Sequence, residues 1–109
     1  MNASEPYRVL FVCLGNICRS PAAEIIFKKM VKEQGLESLI ESDSAGMIGY
    51  HRGCPPDARM LAALEKYGYA DPGIKSRPVR KDDLEQFDRI VGMDRENLRA
   101  LKQLDKNGQ

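Results

Sequence analysis

The sequence lacks the features of several large classes of protein. No apolar run approaches the roughly 20 residues of a membrane-spanning helix, and residues 1–5 are polar, unlike the head of a signal peptide. The 17 Lys and Arg residues against 16 Asp and Glu leave a net charge of +1, so no overall field attracts nucleic acid or a membrane. We therefore expect a cytoplasmic protein with neither partner, in which any anion site is local.

Cysteine is also scarce, and its spacing excludes two further classes. Cys13, Cys18 and Cys54 are an odd number, without the spacing of a zinc site or the density of a disulfide-rich secreted domain. We expect free thiols in a reducing compartment, at least one of them open to reaction. We predict neither a metal nor a cofactor.

Strand-like and helix-like segments alternate along the 109 residues, which are enough for one domain, 1–109, with a real core. Short apolar, β-branched and aromatic runs predict strands at 7–12, 39–44 and 90–93. Periodicity and terminal residues predict helices at 20–34, 57–67 and 94–104, with a helical turn at 82–87. This order predicts an α/β fold, a doubly wound parallel sheet with helices on both faces and 7–12 as its central strand.

Capping residues and apolar stripes define the predicted helices more closely. Ser20 is placed to cap the first helix and Gly35 to end it with a left-handed residue. In the last helix, Asp94 is the expected cap, and Leu98 and Leu101 are expected to point inward. The expected buried stripe of the first helix consists of Ala22, Ala23, Ile26, Phe27 and Met30.

The functional signal lies where the first predicted strand ends. Cys13 is followed six positions later by Arg19, which abuts the start of a helix. A loop of this length can turn its successive N–H groups toward one oxyanion, and the helix N-terminus adds partial positive charge. Arg19 can hold two oxygens at once through its planar guanidinium. The predicted phosphate-binding residues are Leu14, Gly15, Asn16, Ile17, Cys18 and Arg19.

The same surroundings act on the thiol of Cys13. A free cysteine has a pKa of about 8.5, and a helix N-terminus with a neighbouring cation lowers it to about 3.5–7.5. We therefore expect Cys13 to be largely thiolate at neutral pH and to attack phosphorus directly. Its place at the carboxyl end of a parallel strand is also where such sheets bind ligands.

The stretch VLFVCLGNICRSPAAE, residues 9–24, resembles the N-terminal signature of the low-molecular-weight protein tyrosine phosphatases. Further matches, at 43–46, 53, 56–59, 87–88, 93–94 and 97, extend the resemblance over essentially the whole chain. It implies a phosphotyrosine protein phosphatase I-like fold. It also implies a phosphoric monoester hydrolase that cleaves phosphotyrosine in proteins, or small aryl phosphates, through a phosphocysteine intermediate.

The resemblance also implies a role for individual residues. Cys13 is the nucleophile, and Arg19 binds the phosphate and stabilises the transition state. Ser20 hydrogen-bonds the cysteine sulfur as leaving group, and Asn16 holds the loop in shape. Tyr50 is similar to the aromatic residue that walls the substrate pocket, although a surface tyrosine is the alternative.

Cys18 is a candidate redox partner for Cys13. The two are close enough in the loop to reach the short Cα separation of a disulfide. In the family, such a partner captures the oxidised nucleophile before irreversible oxidation. A small apolar filler is the alternative, and we expect Cys54 to be a bystander.

The resemblance further implies that the chain is C-terminally incomplete. Family members are about half again as long, and their last third supplies a strand, an Asp-Pro loop that carries the general acid, and a closing helix. Asp71 precedes a proline too, but in a turn-forming context that makes it a poor substitute. We therefore expect impaired activity from the 109 residues.

Two other functions stay open. Some arsenate reductases share this fold and loop, but they relay electrons through two further cysteines close together, where this chain has only Cys54. The other alternative is a non-catalytic phosphate-binding module that self-associates through an uncovered sheet edge.

Overall fold

The computed structural model describes residues 6–15, 19–47 and 53–107. Three strands form one parallel sheet in the order β2-β1-β3. Every predicted element is present, with ends shifted by at most three residues, and the central position of the first strand is confirmed. The elements are β1 (Tyr7–Cys13), α1 (Arg19–Glu33), β2 (Ile40–Gly46), α2 (Ala58–Glu65), α3 (Lys81–Gln86), β3 (Arg89–Gly92) and α4 (Arg95–Asn107).

Alternate residues of β1 face opposite sides of the sheet, and helices cover both sides. Leu10 and Val12 are fully buried on one side, in a cluster that includes Leu101 of α4. Each such buried aliphatic side chain contributes about 1.5–3 kcal/mol. On the other side, Phe11 meets Phe27 of α1 edge to face, with ring centroids 5.4 Å apart. The predicted doubly wound fold is therefore confirmed.

The buried face of α1 differs from the predicted stripe, and its start differs too. Met30 is 56% exposed, whereas the buried residues are Ser20, Pro21, Glu24, Ile25 and Val31. At 100° per residue, Ser20, Glu24 and Val31 lie along one line of the helix, and Pro21 and Ile25 lie roughly 100° to one side of it. Ser20 and Glu24 are polar and hydrogen-bonded to β1 and β2, so a pattern that counts only apolar residues misses this face. Because α1 begins at Arg19, Ser20 lies inside its first turn rather than at its cap.

The start of α4 follows the prediction more closely. Oδ1 of Asp94 accepts a hydrogen bond from the N–H of Asn97 at 2.8 Å, which is the expected capping contact. Leu101 is buried as predicted. Leu98 lies against Gly92, where an added Cβ would come within 3.0 Å of its side chain, yet it is 42% exposed. The inward prediction for Leu98 is therefore right only in part.

An ion network fastens the segment before α3 to the end of β2. The guanidinium of Arg77 donates to both carboxylate oxygens of Asp83, at 3.0 and 3.2 Å, and to Asp43 at 3.1 Å. Asp83 also accepts the N–H of Arg80 at 2.7 Å. Burial opposes ionisation, but the hydrogen bonds from Arg77 and Arg80 outweigh it, and the pKa of Asp83 lies below its ordinary value. A main-chain hydrogen bond joins the same two segments, because the N–H of Gly46 donates to the carbonyl of Arg77 at 2.8 Å.

We expect Asp83→Asn to lower the free energy of unfolding at pH 7 by about 1.5–3 kcal/mol, because hydrogen bonds between charged groups are lost. The folded-state pKa is lowered, so this stabilisation is present above the unfolded pKa and is lost as pH falls through the folded one. Urea unfolding at several pH values measures it. Asp82→Asn, at an exposed neighbour in the same helix, is the matched control. Equal losses from both variants, or a loss from Asp83→Asn that persists in acid, would contradict this account.

Candidate active site

The end of β1 and the start of α1 meet at the switch point of the sheet. The chain leaves β1 toward β2 on one side and later crosses to β3 on the other. In doubly wound sheets, ligands bind outside the carboxyl ends of the strands at such a point. Of the predicted phosphate-binding residues, Leu14, Gly15 and Arg19 are at this edge. The others, Asn16, Ile17 and Cys18, and the predicted pocket residue Tyr50, lie outside the described residues, so their roles stay predictions.

Cys13 and Ser20 are brought into contact at this junction. Sγ of Cys13 lies 3.0 Å from Oγ of Ser20, and the two residues are 4% and 0% exposed. Oγ of Ser20 also lies 3.4 Å from the carbonyl oxygen of Ala45, a long hydrogen bond. A neutral thiol can donate to Ser20 while Ser20 donates to Ala45. A thiolate can instead accept a hydrogen bond from the hydroxyl of Ser20, so this hydroxyl can pair with either protonation state of Cys13.

Arg19 forms an ion pair with Asp94, which lies two residues after the end of β3. Its Nη1 lies 3.1 Å from Oδ2 of Asp94, and both side chains are partly exposed. Hydrogen bonds lower the pKa of Asp94, first from the N–H of Asn97 and then from Arg19. Asp94 therefore stays ionised and orients the guanidinium. The sequence predicted only its capping role, because 75 residues separate the partners and no local spacing links them.

A second buried contact fixes α1 against β2 behind the site. Oε1 of Glu24 accepts a hydrogen bond from the hydroxyl of Ser44 at 2.6 Å, and Oε2 forms an ion pair with Nζ of Lys28 at 3.1 Å. Burial nevertheless raises the pKa of Glu24 above its ordinary value. Ser44 immediately precedes Ala45, the acceptor of Ser20, so both contacts join α1 to the same end of β2. Sequence analysis missed both partners, because neither is apolar.

Other chemistry is sparse in the part of the chain that the structure describes. No group of three or more His, Cys, Asp and Glu side chains there could hold a metal ion. No described helix is long and apolar enough to cross a membrane. Cys54 is exposed and free. Among the described residues, the site at the end of β1 thus consists of a buried thiol in contact with a hydroxyl, beside an arginine that is paired with a carboxylate.

Comparisons with known proteins identify the family. A model described as "Low molecular weight phosphotyrosine protein phosphatase" matches residues 8–109. The chain is 47% identical to the low molecular weight protein-tyrosine-phosphatase YfkJ of Bacillus subtilis, covering 88% of this chain and 62% of that protein. It is 48% identical to the low molecular weight phosphotyrosine protein phosphatase of Gallus gallus, covering 94% and 64%. The chain belongs to the low-molecular-weight phosphotyrosine protein phosphatase family.

Solved structures of phosphatases share the fold of this chain. The crystal structure of YfkJ superposes with a TM-score of 0.93 and 42% identity, covering 97% of this chain and 67% of that one. A protein tyrosine phosphatase from Entamoeba histolytica superposes with a TM-score of 0.86 and 43% identity, covering 89% and 62%. The chain spans less than two thirds of the length of the curated relatives named above.

The contact between Cys13 and Ser20 predicts how the thiol reacts. Because the hydroxyl can donate a hydrogen bond to the thiolate, Ser20→Ala should slow the alkylation of Cys13 near neutral pH by roughly tenfold or more, the effect of losing one hydrogen bond to a charged group. The pH dependence of alkylation by iodoacetamide measures it, with mass spectrometry to locate the label on Cys13. The exposed Cys54 is the internal control, and its profile should not move. An unchanged Cys13 profile would mean that Ser20 does not stabilise the thiolate.

Proposed function

We propose that this chain carries the active site of a protein-tyrosine phosphatase, which hydrolyses phosphotyrosine in proteins and small aryl phosphates through a phosphocysteine. The observation that carries the proposal is the 3.0 Å contact between Cys13 Sγ and Ser20 Oγ, in the first turn of α1. A buried sulfur at a helix N-terminus is close to where a phosphate anion binds favourably. Membership in the family supports the same reaction.

In the first step, the thiolate of Cys13 attacks phosphorus. A sulfur–phosphorus bond forms, and the bond from phosphorus to the phenolic oxygen breaks, so the phenolate leaves with the electron pair of that bond and becomes phenol when it takes up a proton. In the second step, water attacks the phosphocysteine. Inorganic phosphate is released, and the sulfur leaves as thiolate, which the hydroxyl of Ser20 stabilises at 3.0 Å.

Arg19 holds the transferred phosphoryl group in this mechanism. A guanidinium has five N–H donors, so Arg19 retains an edge for two phosphate oxygens while Nη1 contacts Asp94. The charge that builds on the equatorial oxygens in the transition state is then met by a fixed cation. Asp94 acts as a positioning residue, because it orients the guanidinium without reaching the substrate.

Two aspartates near described turns are poorly suited to donate the proton that the leaving phenolate needs. The lowered pKa of Asp94 keeps it ionised. Oδ1 of Asp71 accepts the N–H groups of Gly73 and Ile74, at 2.9 and 3.1 Å, which is the role of a turn residue. We therefore assign neither as general acid.

Substitutions at Cys13 and Arg19 should separate chemistry from binding. Cys13→Ser should abolish turnover of an aryl phosphate and leave the affinity for inorganic phosphate nearly unchanged, because the loop donors remain. Arg19→Lys keeps the charge but loses the planar fork, so phosphate affinity should fall by about tenfold or more. Calorimetric titration with phosphate measures the affinity of both variants, and release of the phenol from an aryl phosphate measures turnover. Turnover by Cys13→Ser would end the nucleophile assignment, and parental affinity in Arg19→Lys would end the bidentate one.

A series of aryl phosphates tests for the proton donor. A positioned general acid is worth about 10²–10⁴-fold, most for basic leaving groups. Because neither Asp71 nor Asp94 is suited to this role, we expect substrates with good leaving groups to be cleaved slowly and phosphotyrosine hardly at all. The measurement is the turnover rate against the pKa of the leaving phenol. A flat dependence with brisk phosphotyrosine turnover would show that an acid is present, and Asp71 would be reconsidered.

We also propose that copies of the chain associate through the free edge of β3. β3 pairs with β1, and no described strand pairs with its other edge. An open cavity of about 350 Å³ lies between β3 and the helices α3 and α4, and its lining combines apolar side chains with the charged Asp88 and Lys102. The apolar lining residues are Leu84, Phe87, Ile90, Leu98 and Leu101. Light scattering that finds a monomer at all concentrations would contradict this.

A cytoplasmic location is part of the proposal. The exposed thiol of Cys54 suits a reducing compartment. Cell fractionation tests it, and recovery of the protein from an oxidising compartment would contradict it.

A further inference from the structure

Ser76 joins three segments of the chain beside the active site. Its hydroxyl donates to the carbonyl oxygen of Gly15 at 2.8 Å, across 61 residues of sequence. Its N–H donates to the carbonyl of Cys54, and its carbonyl accepts the N–H of Gly53, both at 2.8 Å. Ser76 is only 3% exposed. The main chain therefore holds this hydroxyl in place while it grips the loop between β1 and α1.

The direction of the Gly15 carbonyl matters for an anion. A site built from backbone needs its N–H groups turned inward and its carbonyl oxygens turned away, because a carbonyl oxygen is partially negative. A trans peptide unit is planar, so its carbonyl and its N–H point to opposite sides. A donor that holds the Gly15 carbonyl therefore fixes the orientation of that peptide plane.

We propose that Ser76 is a positioning residue of the phosphate site: its hydroxyl holds the Gly15 carbonyl away from the bound anion. The choice of phosphate as the anion rests on the function proposed above. Binding then costs less, since the loop need not reorder when phosphate arrives. The main-chain bonds of Ser76 add a further consequence, because they tie the loop to the segment that starts at Gly53.

Removing the hydroxyl tests the proposal. Ser76→Ala keeps both main-chain bonds but leaves the Gly15 carbonyl without this donor, so the Kd for inorganic phosphate should rise by about five- to thirtyfold. Ser76→Thr returns a hydroxyl and should restore most of the affinity. Ser42→Ala is the matched control, because its partly buried hydroxyl contacts Lys28 on the body of α1 and should leave the Kd unchanged.

Amide hydrogen exchange of the free protein provides a readout that needs no ligand. In Ser76→Ala, the peptide covering residues 12–20 should exchange faster than in the parent, while the peptide covering α4 should not change. Parental affinity together with parental exchange would overturn the inference, and so would a Thr variant that behaves like Ala. A parent chain that fails to bind phosphate would refute the proposed function, and the exchange comparison would then decide the role of Ser76 alone.

Discussion

Strand β1 pairs in parallel along both of its edges, and the rest of the site depends on this pairing. Tyr7–Cys13 runs in register with Ile40–Gly46, and Val9–Val12 with Arg89–Gly92. Parallel pairing brings the carboxyl ends of three strands to one edge of the sheet. Cys13 emerges there, and Asp94 follows β3 at the same edge. The contact between Arg19 and Asp94, 75 residues apart, is a consequence of strand order rather than of local sequence.

The helix that brings Arg19 and Ser20 to this edge is held by polar contacts as well as by apolar ones. Burying Glu24 disfavours its charged form, and the bonds from Ser44 and Lys28 offset only part of that cost, since its pKa is raised. The associated stabilisation is present below the unfolded pKa and is lost as pH rises through the raised folded pKa. Near neutral pH, the buried carboxylate of Glu24 therefore lowers the stability of the fold, although its contacts join α1 to β2.

Local signals in the sequence predicted the elements well because they act within a few residues. Gly35 has the left-handed φ of +70° expected at the end of the first helix. Asp94 caps α4 as expected, by accepting the N–H of Asn97 at 2.8 Å. The cysteine-to-arginine spacing placed the site at the right junction. Each of these depends on the geometry of one turn.

The sequence could not show the contacts that tertiary packing creates. The buried stripe of α1 contains Ser20 and Glu24, whose partners lie on β1 and β2, so apolar periodicity selected Met30 instead. The second role of Asp94 and the bond from Ser76 to Gly15 depend on segments that meet only in the folded chain. The contact between Ser20 and the sulfur of Cys13 was expected from the family resemblance, whereas the contacts of Glu24, Asp94 and Ser76 with distant segments were missed.

The account rests on transfer of a phosphoryl group to one particular sulfur. Rapid acid quenching during turnover of an aryl phosphate, followed by peptide mass spectrometry, tests this directly. We expect the added mass of one phosphoryl group on the peptide that contains Cys13, and none on the peptide that contains Cys54. Turnover without a phosphorylated Cys13, at times shorter than one catalytic cycle, would contradict the nucleophilic role on which the mechanism depends.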